Sequence, residues 1–221
     1  MQNFSIICKN EVSNLKETKL IGIIDYNMGN LASVYNACHL LDAKAEIVSD
    51  PNKLKDFNKI ILPGVGAYKD AMEHLIETGM KEAILEYSKS GKSMIGICLG
   101  MQLLFESSSE FGHSEGLGLI DGEVLKFDKA KMDEDFKVPH MGWNRIYNNN
   151  NPLFEGIENP YLYFVHSYHA ITNEKNIIGK TTYGYDFVSA VNKDNIYGFQ
   201  PHPEKSHENG LKILKNFMDL D

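Results

Sequence analysis

The order of apolar and amphipathic stretches predicts an α/β domain whose central, mostly parallel sheet is flanked by helices on both faces, with antiparallel strands added late in the chain. Three features carry that expectation. Through the first half, short apolar runs alternate with helical stretches, the pattern of parallel β–α units. Two of those runs end in glycine-rich corners, Pro63-Gly64-Val65-Gly66 and Gly96-Ile97-Cys98-Leu99-Gly100, and ligands of parallel sheets collect at strand carboxyl ends. In the second half, short β-rich segments follow one another at close intervals, which suits antiparallel additions.

Residues 20–25 read as a compact apolar strand ending at an acid. Asn27-Met28-Gly29-Asn30 interrupts it, and a helix follows over 31–41. Residues 44–48 supply a second strand and 59–62 a third, running into Pro63. Residues 93–97 form a brief strand, and 99–105 read as the first turns of a helix. Later strands are expected over 124–127, 161–165, 177–182, 188–192 and 196–200. A closing helix is expected over 207–220, because Leu211, Leu214, Phe217 and Met218 recur at helical spacing. The polar tract 148–152 and the charge-rich stretch 129–137 read as solvated loops. In residues 1–18, Lys9-Asn10-Glu11 and Asn14-Leu15-Lys16-Glu17 break any period, so this segment is expected to be an N-terminal extension to one domain over 19–221.

Composition narrows the function class. A chain of 221 residues suffices for one α/β core. No apolar run approaches the ~20 residues of a membrane span, and residues 1–20 lack the apolar core of a signal peptide. A cytoplasmic protein is expected. Cysteines at 8, 38 and 98 match neither a disulfide framework nor a zinc site. Twenty-two basic against thirty acidic residues give a net charge of −8 with no basic cluster, which argues against nucleic acid.

Cys98 stands where an apolar strand gives way to a helix, with Gly96 and Gly100 two residues to either side. Such a corner raises the side chain above the sheet, and the helix start favours a thiolate. A buried structural cysteine meets the same description. A cysteine nucleophile needs a base, and the base an orienting partner. His202 and Glu204, in Gln200-Pro201-His202-Pro203-Glu204, lie two apart and share one side of an extended segment. A surface turn reads the same way. An oxyanion formed by attack on a carbonyl needs two donors, and losing one costs ~3–4 kcal/mol. Leu99 offers one N–H, and the Pro63-Gly64-Val65-Gly66 corner offers another unless it is a plain tight turn.

Taken together, Gly96-Ile97-Cys98-Leu99-Gly100-Met101-Gln102, Pro63-Gly64-Val65-Gly66 and His202-Pro203-Glu204-Lys205-Ser206 resemble the triad-type, class I glutamine amidotransferases. Three further runs are similar to the glutaminase subunit of imidazole glycerol phosphate synthase: Asp25-Tyr26-Asn27-Met28-Gly29-Asn30-Leu31, Pro139-His140-Met141-Gly142-Trp143-Asn144 and Tyr163-Phe164-Val165-His166-Ser167-Tyr168-His169. The resemblance spans about residues 20–220. It implies a flavodoxin-like three-layer fold and a glutamine amidotransferase type-1 domain. It implies that Cys98 attacks glutamine, that His202 shuttles protons, and that Glu204 orients His202. The oxyanion donors would come from Leu99 and from the turn at Val65 and Gly66. Gly66, Gln102, His166, Ser167 and Tyr168 would recognise glutamine. His140, Trp143, Asn144, Tyr163 and Lys205 would face a (β/α)8-barrel cyclase that receives the ammonia, in histidine biosynthesis. No cofactor or metal is implied; His166 and His169, three apart in a β-rich run, have ligand spacing better suited to a helix.

The sequence departs from the family pattern at Asn27, where glycine is usual, and at Pro201, where an aromatic residue usually precedes the histidine. These departures and residues 1–18 keep a related reading open, a glutaminase feeding amidination of a surface sugar. An inactive regulatory subunit would be expected to lack the cysteine or histidine, and a free-standing hydrolase would have no need of 139–144.

Overall fold

The computed structural model describes residues 19–220; the expected extension over 1–18, with Cys8, lies outside the described residues. In chain order the elements are β1 (Leu20–Ile24), α1 (Leu31–Leu40), β2 (Lys44–Val48), β3 (Lys59–Leu62), α2 (Tyr68–Glu77), α3 (Met80–Ser88), β4 (Met94–Ile97) and α4 (Leu99–Gln102). They continue as β5 (Phe105–Ser108), β6 (Ser114–Glu115), β7 (Ile120–Lys126), β8 (His140–Arg145), β9 (Tyr147–Asn148), β10 (Tyr161–His166) and β11 (Tyr168–Ile171). The last are β12 (Ile177–Tyr183), β13 (Tyr185–Lys193), β14 (Ile196–Phe199) and α5 (His207–Asp219).

The main sheet runs β2-β1-β3-β4-β14-β13-β11-β7-β5-β6. From β2 to β14 every pairing is parallel, an order that reproduces the 2-1-3-4-5 arrangement of flavodoxin-like sheets. Beyond β14 the pairings to β13, β11 and β7 are antiparallel, as the closely spaced second-half segments led us to expect. The segment 161–165 behaves differently. It enters β10, which pairs with β8 in a separate antiparallel ribbon rather than in the main sheet.

Side chains alternate across the parallel strands and build two cores. On one face Ile60, Leu62 and Met94 pack with Tyr68, Leu75, Met80 and Ile84 of α2 and α3. On the other, Ile61, Ile95 and Ile97 pack with Val34 and Ala37 of α1 and with Ile213, Leu214 and Phe217 of α5. Strands buried on both faces read as unbroken apolar runs because helices cover both sides. The helices α2 and α3 carry no separate sequence expectation, yet they supply one whole layer.

The two departures from the family pattern have local explanations. Asn27 adopts φ 67, a left-handed conformation that asparagine tolerates better than other non-glycine residues. Its N–H donates to Asp25 Oδ1 at 3.0 Å. Pro201 lies where the chain passes from one partner to another: Gln200 N donates to Ser189 O, and His202 N to Tyr163 O. Proline's missing N–H falls between those two bonds.

The helix expected over 99–105 is a single turn, Leu99–Gln102, and the chain is already a strand at Phe105. Tertiary partners end it. Leu103 O accepts from Leu117 N, and Leu104 O accepts from Leu119 N and Ile120 N. Carbonyls so engaged with the segment entering β7 are unavailable for further i→i+4 bonds.

Candidate active site

The corner at Cys98 is held by close backbone packing. Cys98 has φ 55 and ψ −111, a strained conformation for a non-glycine residue, of the kind that costs ~1–3 kcal/mol and concentrates at functional sites. Its N–H donates to Phe199 O at 2.8 Å, which ties the corner to the end of β14. Three glycines let α4 settle onto the strands beneath it. A Cβ on Gly96 would lie 2.5 Å from Gly100 O, one on Gly100 would lie 1.9 Å from Leu62 O, and one on Gly64 would lie 2.7 Å from Gly100 N.

Above this corner lies a cavity of about 300 Å³. Val65, Gly66, Cys98, Leu99, Gln102, Ser167, Tyr168 and His202 all line it, so segments far apart in sequence converge at the carboxyl ends of β3, β4 and β14. The turn from β3 is buttressed by Tyr26, wholly buried, whose hydroxyl donates to Pro63 O at 2.9 Å. Burial raises the Tyr26 phenol, with a smaller contribution from Cys98, and keeps it a donor.

His202 Nδ1 lies 2.8 Å from Glu204 Oε1, and both side chains are almost fully buried. Burial by itself lowers the basicity of His202. Cys98 and Glu204 more than offset that loss and raise it to about 10. Apart from the interaction of His202 with Cys98, His202 Nε2 and Glu204 Oε2 have no hydrogen-bond partner among the described residues. A ring nitrogen so placed in a buried site can carry a proton to and from the reacting groups. The thiol of Cys98 donates to Val165 O at 3.9 Å.

Glu110 lines the same cavity and carried no sequence signal. Its Oε2 accepts from Tyr68 N at 2.7 Å and so caps α2, whose own N-cap residue, Ala67, has no side-chain cap bond. Only the fold brings Glu110 to this position, 42 residues away from the backbone group it caps.

Residues 23–220 match the family model for glutamine amidotransferase class-I. The chain belongs to the class I glutamine amidotransferases. Curated relatives within it carry the name imidazole glycerol phosphate synthase subunit HisH. That of Sulfurimonas denitrificans is 64% identical over 200 residues, covering 90% of this chain and 97% of the relative. That of Wolinella succinogenes is 57% identical over 204 residues, covering 91% and 100%. Among solved structures, the Thermotoga maritima PurLQS structure superposes with a TM-score of 0.72 at 21% identity, over 92% of this chain and 99% of that one. A structure described as glutamine amidotransferase superposes with a TM-score of 0.70 at 16% identity, covering 89% and 98%. These two likenesses show the shared amidotransferase fold.

Strand geometry places the residues expected to face a partner of this amidotransferase on two different faces. Side chains alternate along β8 and β10. Tyr163 pairs with Trp143, and Met141 with Val165, on the outer face, where Trp143 is 46% and Met141 63% exposed. His140 and Asn144 lie on the opposite face, where His140 is buried and Asn144 is partly exposed. His140 is buried and stacks between Tyr183 and Phe164, with ring centroids 4.0 and 4.8 Å away. Asn144 Nδ2 donates to Thr182 O at 3.0 Å and lies 3.4 Å from His140 Nε2. Lys205 is exposed in the turn after His202. The outer face also carries two residues that no motif singled out: exposed Tyr161, and His207, whose ring stacks on Trp143 at 5.1 Å.

His166 lines the cavity, and both of its ring nitrogens have partners within the fold. Its Nδ1 donates to Tyr168 O at 2.7 Å, because a carbonyl can only accept, and its Nε2 therefore accepts from His140 Nδ1 at 3.1 Å. Burial lowers His140 to about 4 and His166 to about 3, so both are neutral at neutral pH. His169, one strand on, bonds Tyr185 Oη at 2.9 Å. Among the described residues no group of three or more His, Cys, Asp or Glu could hold a metal ion, and no helix is long and apolar enough to cross a membrane.

Proposed function

We propose that this chain is the glutaminase subunit of an imidazole glycerol phosphate synthase. In this reading it hydrolyses L-glutamine to glutamate and ammonia and passes the ammonia to a (β/α)8-barrel cyclase of histidine biosynthesis in the cytoplasm. The observation that carries the reading is one cavity holding a strained Cys98, a buried His202 paired to Glu204, and a glycine-rich turn opposite. The identity of 64% to a HisH subunit supports the choice of synthase within the family.

Cys98 Sγ attacks the side-chain carbonyl carbon of glutamine. The carbonyl oxygen becomes an oxyanion, received by N–H groups of Leu99 and of the turn at Val65 and Gly66. His202 holds the thiol proton and delivers it to the departing nitrogen, so the C–N bond breaks, ammonia leaves and a γ-glutamyl thioester remains. His202 then takes a proton from water, whose oxygen attacks the thioester; the C–S bond breaks, and glutamate departs as the proton returns to sulfur. Glu204 keeps Nδ1 protonated and Nε2 facing the reaction. Glu110 supplies a carboxylate for the substrate's α-ammonium, and Gln102, Ser167 and Tyr168 complete the pocket. The outer face with Trp143, Tyr163 and Lys205 meets the cyclase, which adds the ammonia to a phosphoribosyl substrate, giving imidazole glycerol phosphate and an aminoimidazole carboxamide ribonucleotide.

The test is Cys98→Ala in the complex reconstituted with the cyclase of the same organism. Glutamine-dependent synthesis is expected to vanish while ammonia-dependent synthesis persists. Glutamine-dependent turnover by the variant would overturn the reading, and wild-type protein that releases ammonia without stimulating this cyclase would point to another acceptor.

A further inference from the structure

We propose that Gln200 is a positioning residue for the nucleophile, interlocked with Gln102 so that one amide N–H is directed at the Cys98 sulfur. The proposal rests on the reading of Cys98 as nucleophile. Gln200 is fully buried just past the end of β14, and its backbone N–H is tied to Ser189 O at 2.9 Å. Gln102 Nε2 has two hydrogens and two acceptors: Tyr168 O at 3.0 Å and Gln200 Oε1 at 2.9 Å. That arrangement decides which way both amides point. Gln102 donates to Gln200, so the atom receiving the bond must be the oxygen, and Gln200 Nε2 must take the other side. There it lies 3.9 Å from Cys98 Sγ. Turning either amide over would set two N–H groups or two carbonyl oxygens against each other inside a buried site.

Besides its interaction with His202, the sulfur has contacts to Val165 O and Gln200 Nε2 that respond oppositely to ionisation. The bond from the thiol to Val165 O requires the proton and is lost with it. The bond from Gln200 Nε2 strengthens when its acceptor is charged. Gln200 therefore holds the sulfur in its attacking form and keeps it at the corner while His202 carries the proton. The same interlock uses both hydrogens of Gln102, so the only side-chain atom that Gln102 offers to the cavity is a carbonyl oxygen. It can accept from a substrate N–H and cannot donate. Neither property of Gln200 follows from its place two residues before His202; both follow from the pairing with α4.

The experiment compares wild type, Gln200→Met and Gln200→Glu in the full-length protein. The readouts are the rate constant for alkylation of Cys98 by iodoacetamide at neutral pH, followed by peptide mass spectrometry, and kcat and KM for glutamine. Methionine keeps the length of the side chain and loses both bonds. Glutamate still accepts from Gln102 and, in its ionised form, has no hydrogen for the sulfur. We expect Cys98 alkylation to slow about tenfold or more in both variants, the loss expected for one hydrogen bond to an ionised group. KM should rise in the methionine variant and move less in the glutamate variant, where Gln102 stays oriented. Alkylation within twofold of wild type in both variants would overturn the proposal. The unmutated protein provides a second readout: the side-chain amide NMR signal of Gln200 should shift when Cys98 is alkylated, and an unmoved signal would also overturn it. A wild-type Cys98 no more reactive than the buried Cys38 would instead overturn the glutaminase reading on which the proposal rests.

Discussion

Replacing Gly100 by alanine tests whether the packing of α4 onto the strand ends is what makes the site. The new Cβ would lie 1.9 Å from Leu62 O, 2.9 Å from Leu62 C and 3.3 Å from Pro63 C. All three obstacles are backbone, two of them in the last residue of β3, so no rotamer change relieves the clash. To reach ordinary contact, α4 and β3 must separate by roughly 1.5 Å. Overpacking of this kind costs ~1–3 kcal/mol, and the better helix propensity of alanine returns at most about 1. A net loss of ~1–2 kcal/mol is expected, which for a chain of this size lowers Tm by roughly 2–8 °C. The catalytic loss should be larger. Cys98 and Leu99 ride on α4 while Val65 and Gly66 ride on β3, so the same displacement widens the gap between the nucleophile and the turn. A misplacement of about 1 Å is worth ~100-fold in rate. The assay is glutaminase kcat at a temperature where the variant is folded by circular dichroism, beside its thermal melt. Gly91→Ala is the control: φ is +78 and nothing lies within 4 Å, so about 1 kcal/mol of stability should go with kcat unchanged. A Gly100→Ala protein that melts like wild type, or that loses stability yet keeps kcat, would refute the reasoning.

Three further outcomes are expected. Tyr26→Phe leaves the buried Pro63 carbonyl without its donor, at a cost of ~1–3 kcal/mol in urea unfolding; kcat should fall more than KM changes, and an unaltered kcat would remove Tyr26 from the support of the turn. His140 and His166 have folded values of about 4 and about 3, below the ordinary 6.5. Their stabilising contribution is therefore complete above pH 6.5 and is lost as pH falls toward 3–4. Urea unfolding at pH 5 should show a loss on the order of 2 kcal/mol per histidine relative to pH 7, and His140→Phe should flatten that slope. Trp143→Ala should weaken binding of the cyclase by at least tenfold in calorimetry, as removal of an exposed aromatic anchor does, while the glutaminase activity of the isolated chain stays the same.

Much of the fold was legible in the residue pattern because parallel strands covered on both faces are written as contiguous apolar runs, as in Ile60, Ile61 and Leu62. The elbow was legible in part: Gly96 is required by its contact with Gly100 four residues on, whereas Gly100 is required by Leu62 O, brought to it from β3 by the fold. Tertiary pairing erased the local signal elsewhere. Residues 99–105 have a helical pattern, but backbone N–H groups arriving from Leu117, Leu119 and Ile120 stop the helix after one turn. Residues 161–165 have a strand pattern that cannot say which strand they join.

Sequence by itself determined which residue types stand at the strand ends: Cys98 between glycines, the Pro63-Gly64-Val65-Gly66 corner, and His202 two positions before Glu204. Those relations are short, and local backbone geometry suffices to read them. Only the tertiary structure decided which groups face one another. The alternation of β8 turned His140 inward and left Met141 and Trp143 on the surface. The fold brought Glu110 into the cavity, occupied both ring nitrogens of His166, and set Gln200 between Gln102 and the sulfur of Cys98. The physical reason is common to all of these. A side chain's direction depends on strand register and on the partners available to each buried polar atom, and both are set by segments remote in sequence.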